Sequence, residues 1–300
     1  MATPPIAPAQ DIQALAAAIN DVSKGYTADQ GPSGMATRFQ LIGMAKQLIA
    51  GLLEPGDMAG LHLANAMEVV AVRTLLDLKV LHRIPPQGSI SLKDLSEATN
   101  TEPSLIERLL RMTVSTGFVQ QLENLEYAHT KFSLAYTAIP GPGMFFQLVY
   151  DESFLMIDNL HMFLREKGPK EPIDQKYSPY SWKSQKEGRD IWSIMADTPE
   201  RLHAFQAGLG FADSQIPLIG FYDFGKLNTP DDRPILVDVG GGGGQSIVQI
   251  LKAYPDLSPS KFVLQDLKEP IELARTGTFL PKEVQAMEHD FWTPQPVKGQ

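Results

Sequence analysis

The sequence predicts an α/β protein, with a mainly helical N-terminal domain that includes a winged helix, followed by the first half of a doubly wound parallel sheet. Three observations predict it. Apolar residues recur at three- and four-residue steps through most of the N-terminal two thirds. A helix–turn–helix followed by a short ribbon lies between Ser89 and His129. An apolar run that ends in the glycines Gly240 to Gly244 opens a strand–turn–helix–strand unit.

Composition sets the bounds. A chain of 300 residues, 43% hydrophobic and 20% charged, holds material for two ordinary domains and is neither disordered, collagenous nor coiled coil as a whole. Its 26 Lys and Arg against 35 Asp and Glu give a net charge of −9, which repels phosphate backbones and argues against nucleic acid as a partner. The absence of cysteine removes disulfides, thiolate metal sites and a Cys nucleophile, and fits a reducing compartment. No stretch approaches the roughly 18 apolar residues of a membrane span. Met1 to Gln10 lacks the basic-then-apolar order of a targeting signal, so the expected location is cytoplasmic, with no membrane partner.

Residues 1–30 read as a flexible tail and a first helix. Pro4, Pro5 and Pro8 prevent helix at the start, after which Ile12, Leu15, Ile19 and Val22 follow the helical period. Residues 31–140 read as a helical and winged-helix domain. Phe39, Ile42, Ala45, Ile49 and Leu52 mark one helix, and a long run from about Met58 to Val80 is apolar on most of its circumference. Such a run is either central core or a subunit interface, and a homodimer through the N-terminal helices is expected. Pro103 opens the next helix at a first-turn position and Gly117 closes it, before the ribbon Phe118 to Gln120 and Glu126 to His129. The charges on that helix, Glu102, Glu107, Arg108 and Arg111, roughly cancel, which argues against a DNA reader.

Residues 141–228 read as a helical linker and substrate-lining region. One apolar helix is expected from Phe145 to Leu164, then a proline-rich loop from Gly168 to Tyr180, then a helix starting at Asp197-Thr198-Pro199-Glu200 that carries Leu202, Phe205, Leu209 and Phe211. Residues 229–300 form the last region, joined through the polar stretch Asn228 to Arg233.

Pro234 to Val239 reads as a fully buried parallel strand, and the glycines after it let backbone approach a ligand. A helix to about Tyr254 and a second strand, Lys261 to Asp266, complete a nucleotide-binding βαβ unit. The pattern is G-x-G-x-G, with Gln245 where a dinucleotide fingerprint has its third glycine. Asp238, two residues before the first glycine, suits a ligand carrying ammonium and sulfonium charge better than one carrying two phosphates. Asp266 at a strand tip suits a ribose diol.

At these residues the chain resembles a fungal class I S-adenosylmethionine-dependent O-methyltransferase of the plant caffeic-acid type. Leu236 to Gly244 resembles the family's first motif, Phe262 to Leu267 its second strand and His289-Asp290-Phe291-Trp292 its third-strand end, and the winged-helix dimerisation domain and the Asp197-to-Arg201 helix start resemble it too. The resemblance implies a Rossmann-like methyltransferase sheet and S-adenosylmethionine as cofactor. It implies that Gly240, Gly242 and Gly244 cradle the methionyl part, that Asp266 with Leu267 holds the ribose, and that Asp290 with Phe291 contacts the adenine. Without it, Asp290 and Phe291 read as a strand-end acid and a core aromatic.

The implied reaction is methyl transfer to a hydroxyl of a small phenolic or polyketide-type metabolite. The family's general base lies in a Leu-His-Asp segment beyond the fourth strand, a position this sequence does not reach at Gln300, so a shortened, less stable and catalytically impaired form is expected. His129, beside Thr130 at the end of the wing, is the catalytic candidate in hand; the competing assignment is a surface or hydrogen-bonded wing histidine. His289 is expected to be exposed. His62, His82, His161 and His203 lack the spacing of a helical metal site, and no metal is expected. Two other readings compete: a cofactor-binding pericyclase-like enzyme of the same fold, and a non-catalytic remnant or winged-helix regulator.

Overall fold

A computed structural model describes residues 7–28, 32–139, 141–198, 201, 205, 218, 219, 222–229, 231 and 233–298. The chain divides into two compact units, 1–21 with 42–212 and 22–41 with 213–300.

The chain opens with α1 (Ala9–Ser23), α2 (Pro32–Leu52) and α3 (Asp57–Asp77). The Met58–Val80 run divides along its length. The C-terminal half of α3 buries Val72, Leu75 and Leu76 in the core of the first unit, while Leu61, Leu63, Met67 and Val70 stay exposed. Lys79, at φ 60°, breaks the run before a short α4 (Val80–Arg83). The next helix, α5 (Leu92–Thr99), starts where the Ser91 hydroxyl accepts the Asp94 N–H, and α6 (Pro103–Ser115) starts with Pro103 in its first turn. Gly117, at φ 76°, turns the chain out of α6 as expected.

The wing is a three-stranded antiparallel sheet. β1 (Ile90–Ser91), β2 (Val119–Gln121) and β3 (Glu126–His129) take the order β1-β3-β2, with Val119 opposite His129. Leu95, Ile106, Leu110 and Tyr127 join the face of α3 in one buried cluster.

Beyond the wing, α7 (Lys131–Ala138) packs directly on α8 (Pro142–Leu148): a Cβ on Gly143 would overlap the Tyr136 carbonyl oxygen. The single helix expected from Phe145 to Leu164 is in fact divided. After α8 comes a π-turn, Val149–Phe154, then one turn at Leu155–Ile157, and a new helix at Leu160–Lys167. The wider turn holds Glu152, which is 4% exposed and accepts from buried Tyr180 and part-buried Arg201, and an apolar helix packed on all sides has no place for such a carboxylate. The expected helix from Asp197 to Phe211 lies outside the described residues apart from positions 197, 198, 201 and 205.

The second unit contains a parallel sheet of β4 (Leu236–Val239), β5 (Phe262–Asp266) and β6 (Gln285–Glu288) in that order. Helices Gln245–Ala253 and Lys268–Thr276 contribute Ile247, Ile250 and Ile271 to a core with Phe262, Leu264 and Leu280. The expectation of a fully buried first strand is corrected. β5 is the buried strand, whereas β4 is half-buried and Val239 is 46% exposed. Among the described residues β4 pairs along one edge only, and a parallel strand is fully covered when it has neighbours on both.

The contact at Gly143 gives a direct test. Gly143→Ala should lower stability by about 2 kcal/mol or more, because a backbone carbonyl cannot move aside as a flexible side chain can. Urea unfolding with an unchanged midpoint would show that α7 and α8 separate without cost.

Candidate functional site

The C-terminal ends of the three parallel strands stand side by side, with Val239 opposite Gln265 and Asp266 opposite Glu288. The glycine turn leaves the end of β4. Gly240, Gly242 and Gly244 have φ of 71°, 57° and 84°, in the left-handed region that favours glycine, so the alternating pattern is a backbone requirement. Gly241 is glycine for another reason. A Cβ there would lie 2.5 Å from the Asp238 carboxylate and from a Leu264 methyl, and one on Gly244 would lie 2.5 Å from Leu280.

Backbone amides tie the turn to β5. The Gln265 carbonyl accepts from Gly240 and Gly241 at 2.8 and 3.2 Å. Gly242 donates to Asp266 Oδ2 at 2.8 Å, and Leu267 donates to Asp266 Oδ1 at 2.7 Å. Each Asp266 oxygen keeps acceptor capacity after these bonds, which suits two adjacent hydroxyls. On the far side, Asp290 Oδ1 accepts the Trp292 N–H at 3.0 Å, and the Phe291 ring edge lies 4.0 Å from where a Gly240 Cβ would stand. The Phe291 and Trp292 rings are 5.4 Å apart, with Trp292 79% exposed. Phe291 is exposed too, so it is not a core aromatic. Leu267 is likewise exposed.

His289 is buried rather than exposed, and its backbone N–H continues the strand pairing onto the Asp266 carbonyl at 2.9 Å. Asp238, Asp266, Glu288 and Asp290 thus crowd one end of the sheet. An acid-rich glycine turn of this kind fits a ligand with positive charge, a sugar diol and a flat base, and fits a diphosphate poorly.

In the first unit, His129 sits at the end of β3 with both ring nitrogens engaged. Nε2 is 3.2 Å from the Ile84 carbonyl and so carries the proton, and Nδ1 accepts from the Ser133 hydroxyl at 2.9 Å. Burial holds this imidazole below its ordinary pKa. The same unit contains a cluster that no sequence motif announced. Glu152 accepts from the Tyr180 hydroxyl and from Arg201, whose second nitrogen lies 2.6 Å from Glu152 Oε2 and 3.1 Å from the Tyr180 oxygen. Burial and the Glu152 carboxylate push the Tyr180 hydroxyl far above its usual range. The adjacent Asp151 receives a bidentate pair from Arg73 of α3 at 2.8 and 3.0 Å. The only sequence signal was a pair of acids inside an apolar run, which does not reveal the side each one faces.

Residues 61–138 match the O-methyltransferase dimerisation domain family. The methyltransferase cfoD of Aspergillus candidus is 30% identical over 273 residues, covering 87% of this chain and 67% of that protein. Among solved structures, OxaC in complex with SAH and oxaline superposes with a TM-score of 0.72 at 21% identity, over 97% of this chain and 73% of that one. A structure described as a pericyclic reaction enzyme superposes with a TM-score of 0.70 at 23% identity, over the same shares, 97% and 73%. No helix among the described residues is long and apolar enough to cross a membrane.

Two outcomes follow from the first unit. Arg201→Met leaves Glu152 as an uncompensated buried charge and should cost about 2–3 kcal/mol, below the figure for a fully buried pair because Arg201 keeps partial exposure. Adding Glu152→Gln should recover part of that loss in urea unfolding; no recovery would refute the charge argument. Burial lowers the His129 pKa, and partial desolvation with the nearby Lys79 and Arg83 charges lowers that of His82, so the unfolded chain takes up these protons at higher pH than the folded one. Stability is therefore full above about pH 6.5 and falls as pH drops below it. His129→Gln should shrink the fall in Tm between pH 7.5 and 5, leaving the share due to His82.

Proposed function

The chain belongs to the O-methyltransferase family, and on that premise we propose that it methylates a hydroxyl group of a small phenolic or polyketide-type secondary metabolite, with S-adenosylmethionine as its cofactor. The glycine turn flanked by strand-end acids carries this reading, since its backbone approach and negative charge suit a sulfonium nucleoside. When bound, the cofactor supplies an electrophilic methyl group on a sulfonium sulfur.

The backbone of Gly240, Gly242 and Gly244 holds the methionyl part in this proposal, with Asp238 close by as the negative group. Asp266 takes the ribose hydroxyls on the acceptor capacity left by Gly242 and Leu267. Leu267 borders the same end of the crevice, and Asp290 with Phe291 receives the adenine. The work of these residues is to bind, align the acceptor oxygen with the methyl group and keep water away. We assign His129 to anchoring the wing, because its two ring nitrogens are used by Ile84 and Ser133.

Assembly as a homodimer is supported by the dimerisation-domain match and by the exposed apolar residues Leu61, Leu63, Met67 and Val70 on α3. A cytoplasmic location is supported by the lack of cysteine.

The decisive test is calorimetric titration with S-adenosylhomocysteine, together with detection of that product when S-adenosylmethionine and phenolic acceptors are supplied. Asp266→Ala should weaken binding at least tenfold, the loss of charge-assisted hydrogen bonds worth about 1.5–3 kcal/mol each. Binding without turnover would favour the pericyclase-like or non-catalytic reading, and no binding would refute the cofactor assignment.

A further inference from the structure

We propose that the reciprocal amide pair between Gln265 and Gln295 is a positioning element of the cofactor crevice, fixing the Asp290–Phe291 turn against the glycine turn and so setting recognition of the purine. The inference rests on the cofactor reading above. Gln265 is 0% exposed, in a strand whose other buried members are Phe262, Val263 and Leu264. A buried primary amide is costly unless its donors and acceptor are paired, and an apolar side chain serves packing alone at lower cost.

The pairing is thorough. Gln265 Nε2 donates to Gln295 Oε1 at 2.8 Å, and Gln295 Nε2 donates back to Gln265 Oε1 at 2.8 Å. Gln265 Nε2 also lies 3.3 Å from the Met287 sulfur, and Gln295 Oε1 accepts the Val297 N–H at 3.1 Å.

The consequence lies in what this pair encloses. The segment after β6 is held at one end by the His289 N–H on the Asp266 carbonyl and at the other by Gln295 on Gln265. Between them is a tight turn in which the Asp290 carbonyl accepts the N–H and hydroxyl of Thr293 at 2.8 and 2.6 Å. Phe291 and Trp292 project from it into solvent, Phe291 beside Gly240. The backbone carbonyl of the same Gln265 holds Gly240 and Gly241. One residue therefore sets both walls of the crevice, the glycine wall through its main chain and the Asp290–Phe291 wall through its side chain.

The 300-residue wild-type chain and its Gln295→Ala variant are titrated with S-adenosylhomocysteine and with its inosyl analogue, which carries a keto oxygen in place of the adenine amino group. Wild type is expected to prefer the adenine compound. In Gln295→Ala its affinity should fall about tenfold, the worth of one lost amide pair, and its preference over the inosyl compound should shrink by a similar factor. The unliganded Tm should stay within a few degrees. Gln295→Met, which keeps volume without the amide, carries the same test if the alanine variant unfolds. Unchanged affinity and preference in a wild type that binds would overturn this inference alone. So would an equal loss for both ligands, which marks a merely structural role. A wild type that binds neither compound overturns the crevice assignment together with this inference.

Discussion

The second unit depends on the grip that the last two residues of β5 exert on the glycine turn. Gly240, Gly241 and Gly242 would otherwise be a floppy stretch with a large entropy to lose. Three of their amides go to Gln265 and Asp266, so the turn is shaped by the neighbouring strand rather than by its own side chains. This explains why five successive glycines are compatible with one defined conformation. It also puts Asp266 to two uses, since the carboxylate that supports the turn is the one read as facing a sugar.

The first unit solves a different problem. A π-turn directs two neighbouring carboxylates to two arginines: Asp151 to Arg73 on α3, and Glu152 to Arg201 with Tyr180. The exposed pair adds little stability, while the buried cluster fixes geometry at a desolvation cost that its hydrogen bonds must offset. The stretch from Asp151 to Arg201 is thereby joined to α3, the helix whose N-terminal half leaves Leu61, Leu63, Met67 and Val70 exposed.

Much of this was readable in the sequence, for physical reasons that differ from place to place. The winged helix declared itself through Pro103 and Gly117, each of which acts through its own backbone. The glycine turn was readable because φ above zero selects glycine at alternating positions. What stayed hidden depended on contacts remote in sequence. Nothing near Glu152 names Tyr180 or Arg201, and nothing near His129 names the Ile84 carbonyl, which lies across the unit's fold. The single helix predicted from Phe145 to Leu164 failed for the same cause, a tertiary partner for one buried acid. The burial of β4 was overestimated because an apolar run records what a strand tolerates and not which neighbours flank it.

The tryptophans are distributed in a useful way. Trp182 and Trp192 belong to the first unit, and Trp292, in the second, stands almost fully in water beside Phe291. The chain thus carries a built-in optical label: Trp292 is the single indole of the second unit, and its emission is isolated from that of Trp182 and half-exposed Trp192 by the difference between wild type and Trp292→Phe.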